Sequence, residues 1–163
     1  MTANSIDKKT FQVSDNDQFL GELIYENLFY QKAQIKMANS TMYQIKPVGI
    51  FQTSIAINQN EAEVAQLVMN WSGEIVISFT DHRAYVMKMN QFYFGKYILE
   101  NKSQEKILQI EPQFDWRSFH NQKDINYHIT ENDHAKDPLL LLLCVYATNF
   151  FISSASGANA GNL

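Results

Sequence analysis

Residues 137–152 read DPLLLLLCVYATNFFI, and the fold turns on them. Asp137 followed by Pro138 is helix-start chemistry. An aspartate carboxylate accepts from the first free backbone N–H groups, and proline at the first helical position gives up an N–H that has no intrahelical partner. A helix over residues 138–152 is therefore expected. Successive helical residues are turned about 100° from one another, so the five leucines at 139–143 cover the whole circumference and leave no polar face. Such a helix must be surrounded. At about 14 residues the run is shorter than the roughly 20 that cross the hydrocarbon core of a bilayer, so a tail anchor is a strained reading. Among strands, the structure able to surround an apolar helix is a closed barrel whose alternate side chains point inward.

The rest of the chain supplies strands. Between residues 10 and 130 short alternating runs are broken by Asn, Asp, Ser and Gly, and helical periodicity is nearly absent. In QKAQIKM (31–37), Ala33, Ile35 and Met37 share one face while Lys32, Gln34 and Lys36 share the other. The other expected strands lie at 42–46, 52–57, 63–69, 74–80, 84–89, 96–100 and 106–110, with weaker signals at 10–13, 20–26, 114–119 and 125–130. Residues 1–9 are expected to be a flexible N-terminus, 10–152 one barrel domain, and 153–163, small and polar, a flexible tail. AQIKMANSTMYQIK also resembles IVISFTDHRAYVMK. Ile35 matches Ile77, Tyr43 matches Tyr85 and Ile45 matches Met87 at an offset of about 42 residues, which points to a duplicated hairpin unit.

Composition bounds the function. With 163 residues, 45% hydrophobic, 18% charged and a formal net charge of −4, the chain is neither disordered nor a basic nucleic-acid binder. The length supports a core without a metal or disulfide, so no cofactor is expected. MTANSIDKKT lacks the apolar run of about 7–15 residues of a secretory signal, so the expected location is cytoplasmic, peripheral at a membrane if it meets one. The single cysteine, Cys144, lies among leucines and reads as a core residue. Three Asn-x-Ser/Thr triplets, at Asn39, Asn70 and Asn101, read as hairpin-turn chemistry.

The opening FQVSDNDQFLGELIYEN with its Leu20-Gly21 pair, the Tyr-bearing hairpins around Tyr43 and Tyr85, and the terminal DPLLLLLCVYATNFF resemble the tubby C-terminal-like superfamily. That superfamily includes tubby proteins, phospholipid scramblases and LURP-one-related proteins. The resemblance covers residues 10–152 and implies a closed barrel of about twelve strands around a hydrophobic helix. It also implies a non-enzymatic binding domain that meets an anionic phospholipid headgroup, phosphoinositide-like, or a protein partner on its outer wall. Two alternatives stand beside it: a scramblase-like or tail-anchored membrane-associated protein, and a lipocalin-like carrier of a small apolar ligand with its helix outside an open barrel.

No Gly-x-Ser-x-Gly elbow, phosphate-cradling glycine loop or His-Glu-x-x-His motif is present, and no catalytic residue is expected. The headgroup chemistry falls on Lys32, Lys36 and Lys46, which share the outer face of one hairpin, with Arg83 and Lys88 on the related hairpin. His120, Asp124, His128, Glu131, Asp133, His134 and Asp137 hold metal-ligand types, and His128-x-x-Glu131-x-x-His134 would suit zinc. The spacing matches no zinc signature, and TENDHAKD reads as a solvated loop. Asp15 and Asp17 lack the rest of a calcium loop and read as a turn. Trp71, Trp116 and the aromatic run 92–94 read as barrel lining and hairpin packing.

Overall fold

A computed structural model of the chain describes residues 1–27, 31–49, 54–90, 95–113, 126–132 and 136–160, with side chains to residue 154. Among the described residues, twelve antiparallel strands close into one barrel around a single helix. The strands are β1 (Thr2–Ser5), β2 (Thr10–Asp15), β3 (Gln18–Tyr25), β4 (Ala33–Met37), β5 (Met42–Val48), β6 (Ser54–Gln59), β7 (Ala62–Met69), β8 (Ile75–Phe79), β9 (Ala84–Met89), β10 (Tyr97–Asn101), β11 (Lys106–Gln113) and β12 (Asn126–Glu131). Each pairs with its neighbours in the chain, and β12 returns to pair with β1. Closure leaves no open sheet edge.

Alternation sets the lumen. Leu23 and Tyr25, Ala33 and Ile35, Ile55 and Ile57, Ala65 and Leu67, Ile75 and Ile77 point inward and are buried, while the residues between them face out. The helix α1 (Pro138–Ala160) fills that lumen: all eleven residues from Leu139 to Asn149 are buried, which no helix lying on one face of a sheet achieves. The arrangement with the helix outside an open barrel is not the one adopted.

The repeat at an offset of about 42 residues is visible as register. Ile35 faces Tyr43 and Ala33 faces Ile45, just as Ile77 faces Tyr85 and Ile75 faces Met87. The hairpins before them also correspond, since a bulge follows Val13 in β2 and Ile57 in β6. A third bulge follows Leu99 in β10. The barrel is thus three four-strand units, β2–β5, β6–β9, and β10–β12 completed by β1.

Two boundaries differ from the sequence expectation. Residues 1–9, expected to be flexible, contain β1. Its sequence TANS has only Ala3 to bury, too little alternation to read, yet Ala3 is fully buried and β1 pairs with both β2 and β12. The helical backbone continues to Ala160, through the segment expected to be a flexible tail, because serine and alanine do not terminate a helix already nucleated upstream. The expected strand at 114–119 lies outside the described residues.

Candidate functional site

The lumen is built as a fixed core. Asp137 caps α1: its Oδ1 accepts from Leu139 N–H at 2.9 Å and, more weakly, from Leu140 N–H at 3.4 Å. Its Oδ2 accepts from Arg83 Nη1 at 2.6 Å, and Arg83 Nε reaches Asp81 Oδ2 at 2.8 Å while the guanidinium lies 4.3 Å above the Phe79 ring. Toward the other end of the helix, Tyr146 stacks on Tyr25 at 5.8 Å and donates to the Gln31 carbonyl at 2.7 Å. Asn149 is buried and satisfied, accepting from Tyr127 Oη through Oδ1 and donating to Tyr25 Oη at 3.0 Å. Between the two ends Leu142 meets β3 at Gly21, where an added Cβ would stand 2.8 Å from Leu142 Cδ1 and 3.0 Å from the Lys36 carbonyl oxygen. Burial, with the Asp137 charge adding to it, pushes the Cys144 thiol well above its ordinary range, which suits a core residue and not a nucleophile. A ligand inside this barrel would have to displace the helix.

The outer wall is where chemistry is free to act, and the five expected cations separate there into two groups. Arg83 is held in the helix cap, Lys88 Nζ lies 2.8 Å from Glu100 Oε2, and Lys36 Nζ lies 3.7 Å from Glu22 Oε1. These three already have carboxylate partners. Lys32 and Lys46 make no ion pair among the described residues. The β4–β5 register, continued by one residue, sets them opposite each other. Lys36 stands four residues further along, about 13 Å at strand spacing, so Lys32, Lys36 and Lys46 do not converge on one point.

Lys46 belongs to a groove of about 620 Å³ on the outer wall of β4–β6. Gln34, Gln44 and Asn58 lie side by side across the three strands and line it, with Met42, Asn60 and Glu61 toward the β6–β7 turn. The four carboxamides make no side-chain hydrogen bond among the described residues. Elsewhere on the wall polar side chains pair with one another: Gln66 donates to Ser54 Oγ at 2.7 Å and Lys96 to Glu111 Oε1 at 2.9 Å. The Lys96 bond holds the Glu111 carboxyl below the usual carboxylate range.

No family model, curated protein or solved structure matches the chain. The site therefore stands on its own geometry.

His128 lies on β12 opposite Thr2 and Glu111. Among the described residues no three His, Cys, Asp or Glu side chains are grouped to hold a metal ion. His120, Asp124, Asp133 and His134 lie outside the described residues, as do Trp116 and residues 92–94. Asp15 ends β2 and Asp17 takes a left-handed turn conformation, φ 65°. The three Asn-x-Ser/Thr triplets form turns by one device. The Asn39, Asn70 and Asn101 amide oxygens accept from the backbone N–H of Thr41, Ser72 and Ser103 at 3.0, 3.0 and 2.9 Å. Trp71, expected to pack, is instead fully exposed at the tip of the β7–β8 turn, since the Asn70 turn directs its side chain off the barrel. Gln34, Gln44, Asn58 and Asn60 were not legible as a site, because outward glutamine and asparagine look like any solvated face until strand register aligns them.

Proposed function

We propose that the chain is a non-enzymatic binding domain that takes an anionic, hydroxyl-bearing headgroup, phosphoinositide-like in chemistry, on the outer wall of its barrel. The observation that carries this reading is the β4–β6 groove, where carboxamides that make no side-chain hydrogen bond among the described residues lie beside Lys46. A carboxamide both donates and accepts, as a ring of hydroxyls requires, and an ammonium adds a charge-assisted bond to a phosphate oxygen. Lys32 opposite Lys46 supplies the second cation. The filled lumen supports a site on the wall in preference to a carrier's interior. A tail-anchored protein is the weaker alternative. Among the described residues no helix is long and apolar enough to cross a membrane, and extracting α1 would expose the barrel's whole lining. Kinship with the tubby-like superfamily and a cytoplasmic, membrane-peripheral location belong to the same proposal. The order of twelve strands followed by an enclosed helix supports the kinship.

Flotation with phosphatidylcholine vesicles carrying a phosphoinositide tests it. The expected result is co-flotation that falls at least about tenfold in a Lys32→Ala/Lys46→Ala variant and falls in Gln44→Ala, with Lys36→Ala close to the unaltered chain. Absence of binding, or binding indifferent to Lys32 and Lys46, overturns the reading.

A further inference from the structure

We infer that the end of the barrel from which α1 emerges is a seat for an anionic bilayer surface, with Trp71 as its interfacial anchor. The inference rests on the headgroup reading for its choice of lipid over protein and shares Lys32 and Lys46 with it, while Trp71 and the valine row are its own. Because all strands are antiparallel, their connections alternate between two ends. The β2–β3, β4–β5, β6–β7, β8–β9 and β10–β11 turns share one end with Asp137. The β1–β2, β3–β4, β5–β6, β7–β8 and β9–β10 connections share the other with the exit of α1.

The two ends differ in chemistry. The first carries Asn16-Asp17, Asn39-Ser40, Asn60-Glu61 and Asp81-His82 at its turn tips. The second carries Trp71, fully exposed, and Ile6, 56% exposed. Below the β7–β8 turn that carries Trp71 the outer wall is aliphatic. Val48, Ser54, Val68, Val76 and Val86 lie in one cross-strand row over β5–β9, and Val48 and Val68 are among the exposed large apolar side chains. Alternation places polar residues at such positions on a solvated wall. Water gives nothing to a valine row that crosses β7 and β8 below a turn tipped by a bare indole. Lys46 is the next outward residue along β5 from Val48, and Lys8, Lys9 and Lys32 lie at the same end.

An indole is favoured at the headgroup level of a bilayer, aliphatic side chains just below it, and lysines can lay their stems along the apolar strip with their ammonium groups at the phosphates. Charge agrees with this orientation. Asp15, Asp17, Glu61, Asp81 and Glu105 lie at the opposite end, while among the described residues of this end Lys8, Lys9, Lys32, Lys46 and Lys96 outnumber Asp7, Glu26, Glu74 and Glu111, so a chain of net charge −4 still turns its more basic end toward an anionic surface.

The chain has two tryptophans, and Trp116→Phe leaves Trp71 as the sole reporter. On mixing with vesicles of phosphatidylserine and phosphatidylcholine in equal parts, Trp71 emission should shift to the blue and be quenched by brominated acyl chains. In the otherwise unaltered chain, Trp71→Ser and Val68→Ser should each weaken vesicle sedimentation, the former by about tenfold, without changing the melting temperature. Where the Trp116→Phe variant does not fold, sedimentation of the Trp71→Ser and Val68→Ser chains is read alone. Trp71 emission that stays water-like while the protein sediments, or sedimentation unchanged in Trp71→Ser, overturns the inference. Lipid-free dimerisation abolished by Trp71→Ser also overturns it, by assigning this surface to a second copy. Weakening by Trp71→Ser with Gln44→Ala unaltered supports the seat and sinks the headgroup groove; weakening by Gln44→Ala with Trp71→Ser unaltered sinks the seat and leaves the groove.

Discussion

Asn149 is a polar side chain in the middle of an aromatic cage, and it is tolerated because Tyr25 and Tyr127 complete its hydrogen bonding. Removing one phenol leaves a buried group unsatisfied, whereas replacing the whole set by apolar groups does not. Tyr127→Phe should therefore cost about 1–3 kcal/mol, read as a lower denaturant midpoint at unchanged slope. The combination Tyr25→Phe/Tyr127→Phe/Asn149→Leu should recover most of that loss. If the triple variant is the least stable of the series, the cage holds α1 by more than local satisfaction. The Asn39, Asn70 and Asn101 turns were legible at this scale because an Asx turn is made by residues adjacent in sequence. The partners of Asn149, at separations of 22 and 124 residues, were not.

Among the elements, α1 is the one the barrel is built around, and its first turn is fastened from two directions. Asp137 serves the free N–H groups with one oxygen and Arg83 with the other, so the β8–β9 turn fixes where the helix enters the lumen. Asp137→Ala removes both contacts and should destabilise by about 1–2 kcal/mol, with Asp137→Asn, which keeps the cap, falling between it and the unaltered chain. Equal losses in Ala and Asn variants would place the whole effect in the Arg83 pair. The helix start was legible from Asp137-Pro138 because capping is local. The part played by Arg83, expected at a headgroup and found in the cap, depends on a contact 54 residues distant.

For the molecule as a whole, closure decides stability. β1 is four residues with one apolar side chain, yet it fills the seam between β12 and β2 and completes the third four-strand unit. Deleting residues 1–5 exposes two strand edges and should lower the melting temperature by at least about 10 °C and promote self-association, read by calorimetry and light scattering. A truncated chain that melts like the full one and stays monomeric would show that the seam closes without β1. The three-unit architecture was only partly legible, because the third unit takes its last strand from the opposite end of the chain.

Two features followed from the amino-acid sequence alone. Period-two alternation specified strands, and an apolar helix with no polar face specified an enclosure, since both are properties of residues within a few positions of one another. The tertiary structure decided the rest: which lysines pair with carboxylates, the row of carboxamides on β4–β6, and the valine row that crosses β5–β9 below the Trp71 turn. Each of these is a set of neighbours on different strands. Such sets exist only once pairing has fixed the register, and register depends on contacts between residues far apart in the chain.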